Sequence, residues 1–138
     1  IRRTVFERVG GWAANFQYAH EGIEMAWRVW DTGHSVRYEG DIVTCHPAIL
    51  PTRHDEYQRL NGRNRVWLAR RNLPWVFAAP YLGVWSAVEW RRTRDERTAW
   101  RMWRQGWSEG WHSDPGDRRP ISFKAAWQMA RHGRPPVV

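Results

Sequence analysis

Apolar residues recur at three- and four-residue spacing in several segments of the chain, as they do in helices with one buried face. The clearest segment runs from Gly22 to the break at Gly33, and its apolar positions are Ile23, Ala26, Trp27 and Trp30. The same pattern predicts helices over residues 2–9, 52–72, 95–109 and 122–132. Helices therefore account for most of the predicted structure.

Two short segments between these helices follow a different pattern. Residues 35–39 alternate, with Val36 and Tyr38 on one side and charged residues on the other, which predicts a half-buried strand. Residues 42–45 form a second short apolar run, and Pro47 prevents its continuation as a central strand. His46 then lies at a strand end, where α/β proteins usually build their sites. These segments predict an α/β fold.

Residues 75–90 are mostly apolar but contain Pro80 and Gly83, which we expect to interrupt a helix. About 16 residues is short for a membrane span, which needs about 20. Two arginines follow at once, and the next predicted helix places three tryptophans along one face: Trp100, Trp103 and Trp107. Tryptophan and arginine favour the lipid headgroup zone, so this part of the chain is a candidate for lying on a membrane surface.

The chain is strongly basic and rich in tryptophan. The 138 residues carry a formal net charge of +8 and include 12 tryptophans. Such a charge favours an anionic partner, namely nucleic acid, phospholipid or a phosphorylated substrate, although coding bias is an equally simple source of the arginine excess. The single cysteine excludes an internal disulfide and makes a reduced, cytoplasmic setting the default expectation.

Four motifs, in order along the chain, carry a resemblance to a known family. They are residues 2–12 (RRTVFERVGGW), 20–28 (HEGIEMAWR), 36–46 (VRYEGDIVTCH) and 59–65 (RLNGRNR). Together they resemble the C-terminal half of a family 2 glycosyltransferase of the GT-A fold, from residue 1 to about residue 74. The resemblance implies a catalytic part over residues 1–73 with an α/β, Rossmann-like fold, followed by a helical tail rich in Trp and Arg over residues 74–138.

The resemblance also implies an activity. Such an enzyme moves a sugar, of hexosyl or deoxyhexosyl type, from a nucleotide-sugar donor to a cell-envelope glycan or a lipid-linked acceptor, with inversion and with a divalent metal. The family's Asp-x-Asp motif and donor-binding half do not occur in this sequence. We therefore expect the isolated chain to be inactive because its donor-binding half is missing.

The resemblance assigns two carboxylates to the chemistry. Sugar transfer with inversion needs a base that removes the proton of the acceptor hydroxyl. The family's usual Asp is Gly22 here, so Glu21 is the predicted base and Glu24 the second candidate. The structural alternatives are that Glu21 only caps the helix and that Glu24 pairs with Arg28 four residues later.

The remaining predicted site residues are assigned to the metal and to the substrates. His46 is the predicted ligand of Mn²⁺ or Mg²⁺, which would offset the charge of the leaving diphosphate. The predicted substrate-binding residues are His20, Trp12 and Tyr18 for the acceptor, and Arg28, Arg53 and His54 for the diphosphate. The alternatives are core packing for the aromatic residues, a structural role for Arg28 and a solvated loop for Arg53 and His54. His20 could instead tune Glu21.

A different class of function is a module without catalytic activity that binds a membrane surface or nucleic acid. Adjacent Arg and Trp residues can pair phosphate contacts with base stacking. The helical spacing of the tryptophans and the lack of a recognisable nucleic-acid module disfavour that reading, so no nucleic acid partner is expected. The expected location is the cytoplasm, with peripheral attachment to the anionic inner face of the cell membrane.

Overall fold

A computed structural model describes residues 1–45 and 56–137 of the chain. Over these ranges the protein consists of six α-helices and a short 3-10 turn at Ala14–Phe16, and no strand occurs. The helices are α1 (Arg3–Val9), α2 (Glu21–Asp31), α3 (Tyr57–Asn72), α4 (Trp75–Thr93), α5 (Arg97–His112) and α6 (Phe123–Arg131).

The predicted α/β fold is wrong. The described residues contain no sheet, so they are all-helical, and neither a Rossmann-like arrangement nor a GT-A catalytic fragment is present among them. The resemblance to a family 2 glycosyltransferase is corrected by the same finding, because the described residues form none of the strands that define that fold.

The two predicted strands fail for a physical reason. An alternating pattern marks which side chains can be buried, but a strand also needs a neighbour for its backbone N–H and C=O groups. In the described part of the chain no segment pairs with residues 35–39 or 42–45. Their apolar side chains are consequently exposed, Tyr38 by 95% and Val43 by 80%.

Helices α3 and α5 form the centre of the molecule, and glycines bring them together. A Cβ atom at Gly106 of α5 would overlap the main-chain carbonyl of Arg59 in α3. One at Gly110 would lie 2.8 Å from the carbonyl oxygen of Arg63, and Gly62 of α3 faces the α5 backbone in the same way. These contacts leave no room for a side chain, so the two helix backbones lie in direct contact.

The main core lies around α3. Its fully buried residues include Val66 and Leu68 of α3, Phe16 of the 3-10 turn and Ile121, which precedes α6. Aromatic contacts add to it, such as Trp27 against Tyr81 with ring centroids 5.7 Å apart. The core thus joins residues on both sides of the predicted division at residue 73.

Helix α4 is continuous, although Pro80 was expected to interrupt it. The proline is exposed, so its ring faces solvent instead of neighbouring helices. An apolar face of α4 lies open to solvent along most of the helix, and its members are Trp75, Val76, Ala79, Pro80, Gly83, Val84, Ala87 and Trp90. Within the described ranges, none of the helices combines the length and the apolar character that a membrane crossing requires.

Candidate functional site

The loop that enters α2 has an unusual backbone. Three residues that are not glycine have positive φ angles there: Gln17 (52°), Ala19 (65°) and His20 (70°). Such conformations cost free energy for residues with a Cβ atom, and they persist where surrounding contacts impose them. Strained backbone of this kind is concentrated at functional sites, so this loop is a candidate functional site.

Asn64 imposes the loop conformation. It is fully buried in α3, and its Nδ2 lies 2.9, 2.7 and 2.8 Å from the carbonyl oxygens of Phe16, Tyr18 and Ala19. The amide has two N–H hydrogens, so one of them is shared between two of these three main-chain acceptors, which the irregular backbone leaves without helical partners. The rings of Tyr18 and Tyr57 meet edge to face, with centroids 6.2 Å apart, and add a contact between the loop and α3.

His20 ends the loop as a neutral histidine. Its Nε2 lies 2.7 Å from Oδ1 of Asn61 in α3, and this nitrogen carries the proton because an amide oxygen can only accept. Burial, and secondly the nearby Arg65 cation, lower the pKa of His20 from 6.5 to about 3, although the hydrogen bond to Asn61 raises it. His20 is therefore uncharged at neutral pH and acts as an anchor for the residue that follows.

Glu21 follows that anchor as the first residue of α2. Its side chain is half-buried, and its Oε2 atom is buried with no hydrogen-bond partner in the part of the chain that the structure describes. Buried carboxylate oxygens nearly always have partners, so a partnerless one calls for an explanation. Glu21 lies in the first turn of α2, and a carboxylate is a group that can accept a proton from a hydroxyl group.

Glu24, the second predicted base, lies in a different environment. It is fully buried, and its carboxylate accepts hydrogen bonds from Arg28 (Nε at 2.8 Å), Arg71 (Nε at 3.2 Å) and Asn72 (Nδ2 at 3.0 Å). Arg28 also donates to the carbonyl oxygens of Val9 and Gly11, the latter at 2.7 Å. These bonds tie α2 to α3 and to the end of α1, which gives Glu24 and Arg28 structural roles.

The other predicted site residues lie elsewhere or outside the described ranges. Trp12 is 55% exposed, contacts Phe6 edge to face, and lines a small cleft of about 210 Å³ together with Arg28. Tyr18 and His20 accompany Glu21 in the loop. The predicted metal ligand His46 and the diphosphate candidates Arg53 and His54 lie outside the described residues, so their roles stay predictions.

Sequence reasoning missed the residues of α3 that build the loop. Asn61 and Asn64 bond to the loop, and both are buried. A signal was present for Asn64 alone, because it falls on the helical stripe of the predicted helix, where a buried polar residue needs a partner. The pattern did not indicate the burial of Asn61, nor the loop carbonyls and the ring nitrogen that the two side chains contact.

The described residues contain no group of three histidine, cysteine, aspartate or glutamate side chains that could hold a metal ion. The predicted divalent metal therefore has no ligand set within these ranges, and it stays a prediction that depends on His46. Comparisons with known protein families, with curated proteins and with solved structures find no match for this chain.

Proposed function

We propose that Glu21 is the general base of a sugar transfer, in which a glycan or lipid-linked acceptor receives a sugar from a nucleotide-sugar donor. One observation carries this proposal: directly after a strained loop, the Glu21 carboxylate has a buried oxygen with no hydrogen-bond partner among the described residues. Strain at Gln17, Ala19 and His20 costs stability, and we propose that holding Glu21 in place is the reason for it.

The chemistry needs one proton acceptor beside the acceptor hydroxyl. As the hydroxyl oxygen attacks the anomeric carbon, its O–H bond breaks and the proton passes to Glu21. The bond from the anomeric carbon to the nucleoside diphosphate breaks in the same displacement, and its electron pair leaves with the diphosphate.

Tyr18 and Tyr57 favour a carbohydrate as the acceptor. Their rings lie beside the loop, and both side chains are partly exposed. Aromatic rings offer apolar faces on which the C–H side of a sugar ring can pack.

The substitution Glu21→Gln tests the proposal. It preserves the shape of the side chain but removes the proton acceptor, so turnover is expected to fall by about a hundredfold or more with little change in stability. Nucleoside diphosphate release from UDP-, GDP- and TDP-sugars would be measured with the protein in its complete form and a glycolipid extract as acceptor. Glu39→Gln, at an exposed glutamate, is the matched control. Undiminished turnover of Glu21→Gln would assign the base to another residue.

The exposed face of α4 favours a second function, attachment to an anionic membrane surface. A helix face of this apolar character is normally covered. Both ends of the face carry the pairs that mark a lipid interface: Trp75 lies under the guanidinium of Arg118 at 4.2 Å, and Trp90 precedes Arg91 and Arg92. Tryptophan suits the headgroup zone, and the arginines complement anionic lipids. Helix α4 would then lie flat in the interface.

Flotation with vesicles tests this attachment. Phosphatidylglycerol-rich vesicles are expected to carry the protein at moderate salt, and Val84→Glu should lower the bound fraction about fivefold or more, because it places a charge in the apolar contact. Gln105→Glu adds the same charge at an exposed position of α5 and should have little effect. Equal losses in the two variants, or no flotation of the original protein, would refute attachment through α4.

A further inference from the structure

Arg65 is a buried cation without an acidic partner. Its residue is only 8% exposed, yet no carboxylate of the described residues lies within 4 Å of it. The other arginines of this region, Arg28, Arg63 and Arg71, each have a glutamate partner. A buried charge is costly unless an opposite charge compensates it, which raises the question of what compensates Arg65.

The surroundings of Arg65 fix its position but do not neutralise it. The guanidinium carbon lies 3.4 Å from the centroid of the Trp85 ring, a stacking contact, and Nη1 donates a hydrogen bond of 2.9 Å to the Tyr81 hydroxyl. The indole N–H of Trp85 is itself buried with no partner among the described residues. The Arg65 guanidinium and the unpaired indole N–H of Trp85 therefore lie next to each other.

Both residues line a cleft of about 740 Å³ between α2, α4 and the C-terminal segment. Three other basic groups line the same cleft: Arg37, His132 and Arg134. Among the described residues of its lining there is no aspartate or glutamate, whereas the aromatic rings of Trp27, Trp30, Tyr81 and Trp85 form part of its walls. The cleft thus combines positive charge with flat apolar surfaces.

We propose that this cleft binds a phosphate-bearing ligand, with Arg65 as the central contact to its phosphate oxygens. A guanidinium group presents several N–H donors in one plane and suits phosphate oxygens in pairs. The aromatic walls suit the ring of a sugar or nucleobase attached to the phosphate. The site does not depend on the role of Glu21, because it has its own cation, donor and cavity.

Calorimetric titration with inorganic pyrophosphate at low salt tests the site. Saturable binding of one pyrophosphate per chain is expected, and Arg65→Gln should weaken it about tenfold or more. Arg37 and Arg134 are exposed, so Arg37→Gln and Arg134→Gln leave the fold intact and should each weaken binding about three- to fivefold. Arg104→Gln removes an exposed arginine of α5 that does not line the cleft, and its affinity should stay within about twofold of the original.

A second measurement follows the indole N–H signal of Trp85 in the NMR spectrum, which is assigned by its loss in Trp85→Phe. The signal should shift as pyrophosphate is added, and the midpoint of this shift should equal that of the calorimetric titration.

Three results would overturn the proposal. The first is an absence of saturable pyrophosphate binding. The second is an equal loss of pyrophosphate affinity in Arg104→Gln and Arg134→Gln, which would mean that only diffuse charge attraction acts. The third is binding of malonate as tight as that of pyrophosphate. Because none of these readouts involves sugar transfer, failure of this site and failure of the Glu21 proposal are distinguishable.

Discussion

Replacing Gly106 by alanine is expected to destabilise the protein by about 3 kcal/mol or more, or to prevent it from folding. The added Cβ atom would overlap the carbonyl of Arg59, which is main chain and cannot rotate away. Relief requires α3 and α5 to separate, and separation would loosen the buried contacts of Val66 and Trp103 and the ion pair of Arg59 with Glu109. One methyl group therefore disturbs a whole helix interface.

Urea unfolding followed by far-ultraviolet circular dichroism measures this effect. Gly83→Ala is the matched control, since Gly83 also lies inside a helix but a Cβ atom there meets nothing within 4 Å. That variant should gain about 0.5–1 kcal/mol from the better helix propensity of alanine. If the two alanine variants were equally stable, α3 and α5 would not be packed backbone to backbone.

The glycine contacts illustrate what the sequence could predict. Periodicity located α1, α2, α5 and α6 to within a few residues, because each of these helices has an apolar face that repeats every three or four positions. It could not reveal that Gly62, Gly106 and Gly110 mark the contact between α3 and α5. A glycine in a helix has the same appearance in sequence whether it faces open solvent, as at Gly83, or the backbone of another helix.

The wrong fold class has a related cause. The alternation at residues 35–39 is a property of one segment, whereas a stable strand needs a second segment that pairs with it. Helices close their hydrogen bonds within the segment, so sequence patterns predict them more directly. Helix α4 shows the opposite error, since Pro80 was expected to interrupt it but the helix continues through the proline, which removes one N–H donor from its backbone hydrogen bonds.

The candidate site was predictable in part. The sequence placed Glu21 at a helix start beside His20, and the structure has both at the entrance of α2. It could not anticipate that Asn64 holds three loop carbonyls, or that Arg65 lies buried against Trp85 from another helix. Contacts between residues 20 to 48 positions apart depend on how the helices pack, and a local sequence pattern does not predict that packing.

Glu24→Gln is the second substitution with a large expected effect, a loss of about 3–5 kcal/mol in the free energy of unfolding. Glutamine has almost the same shape but no charge, so Arg28 and Arg71 would lie buried without a counter-charge. Arg28 is 8% exposed, and the side chain of Arg71 is 11% exposed. The amide N–H group of glutamine would also face guanidinium donors where a carboxylate oxygen now accepts.

Glu7→Gln provides the matched control, because Glu7 also pairs with an arginine four residues away, Arg3 at 2.7 Å, but on the surface. Its loss should be below about 0.5 kcal/mol. Measured by urea unfolding, the pair of variants isolates the effect of burial from that of helical spacing. The comparison also separates the two carboxylates of α2: Glu24→Gln should lose stability, whereas Glu21→Gln should lose turnover and keep its stability. If Glu24→Gln instead remained as stable as Glu7→Gln, the buried network would not hold α2 to α3, and Glu24 would again be a candidate for the chemistry.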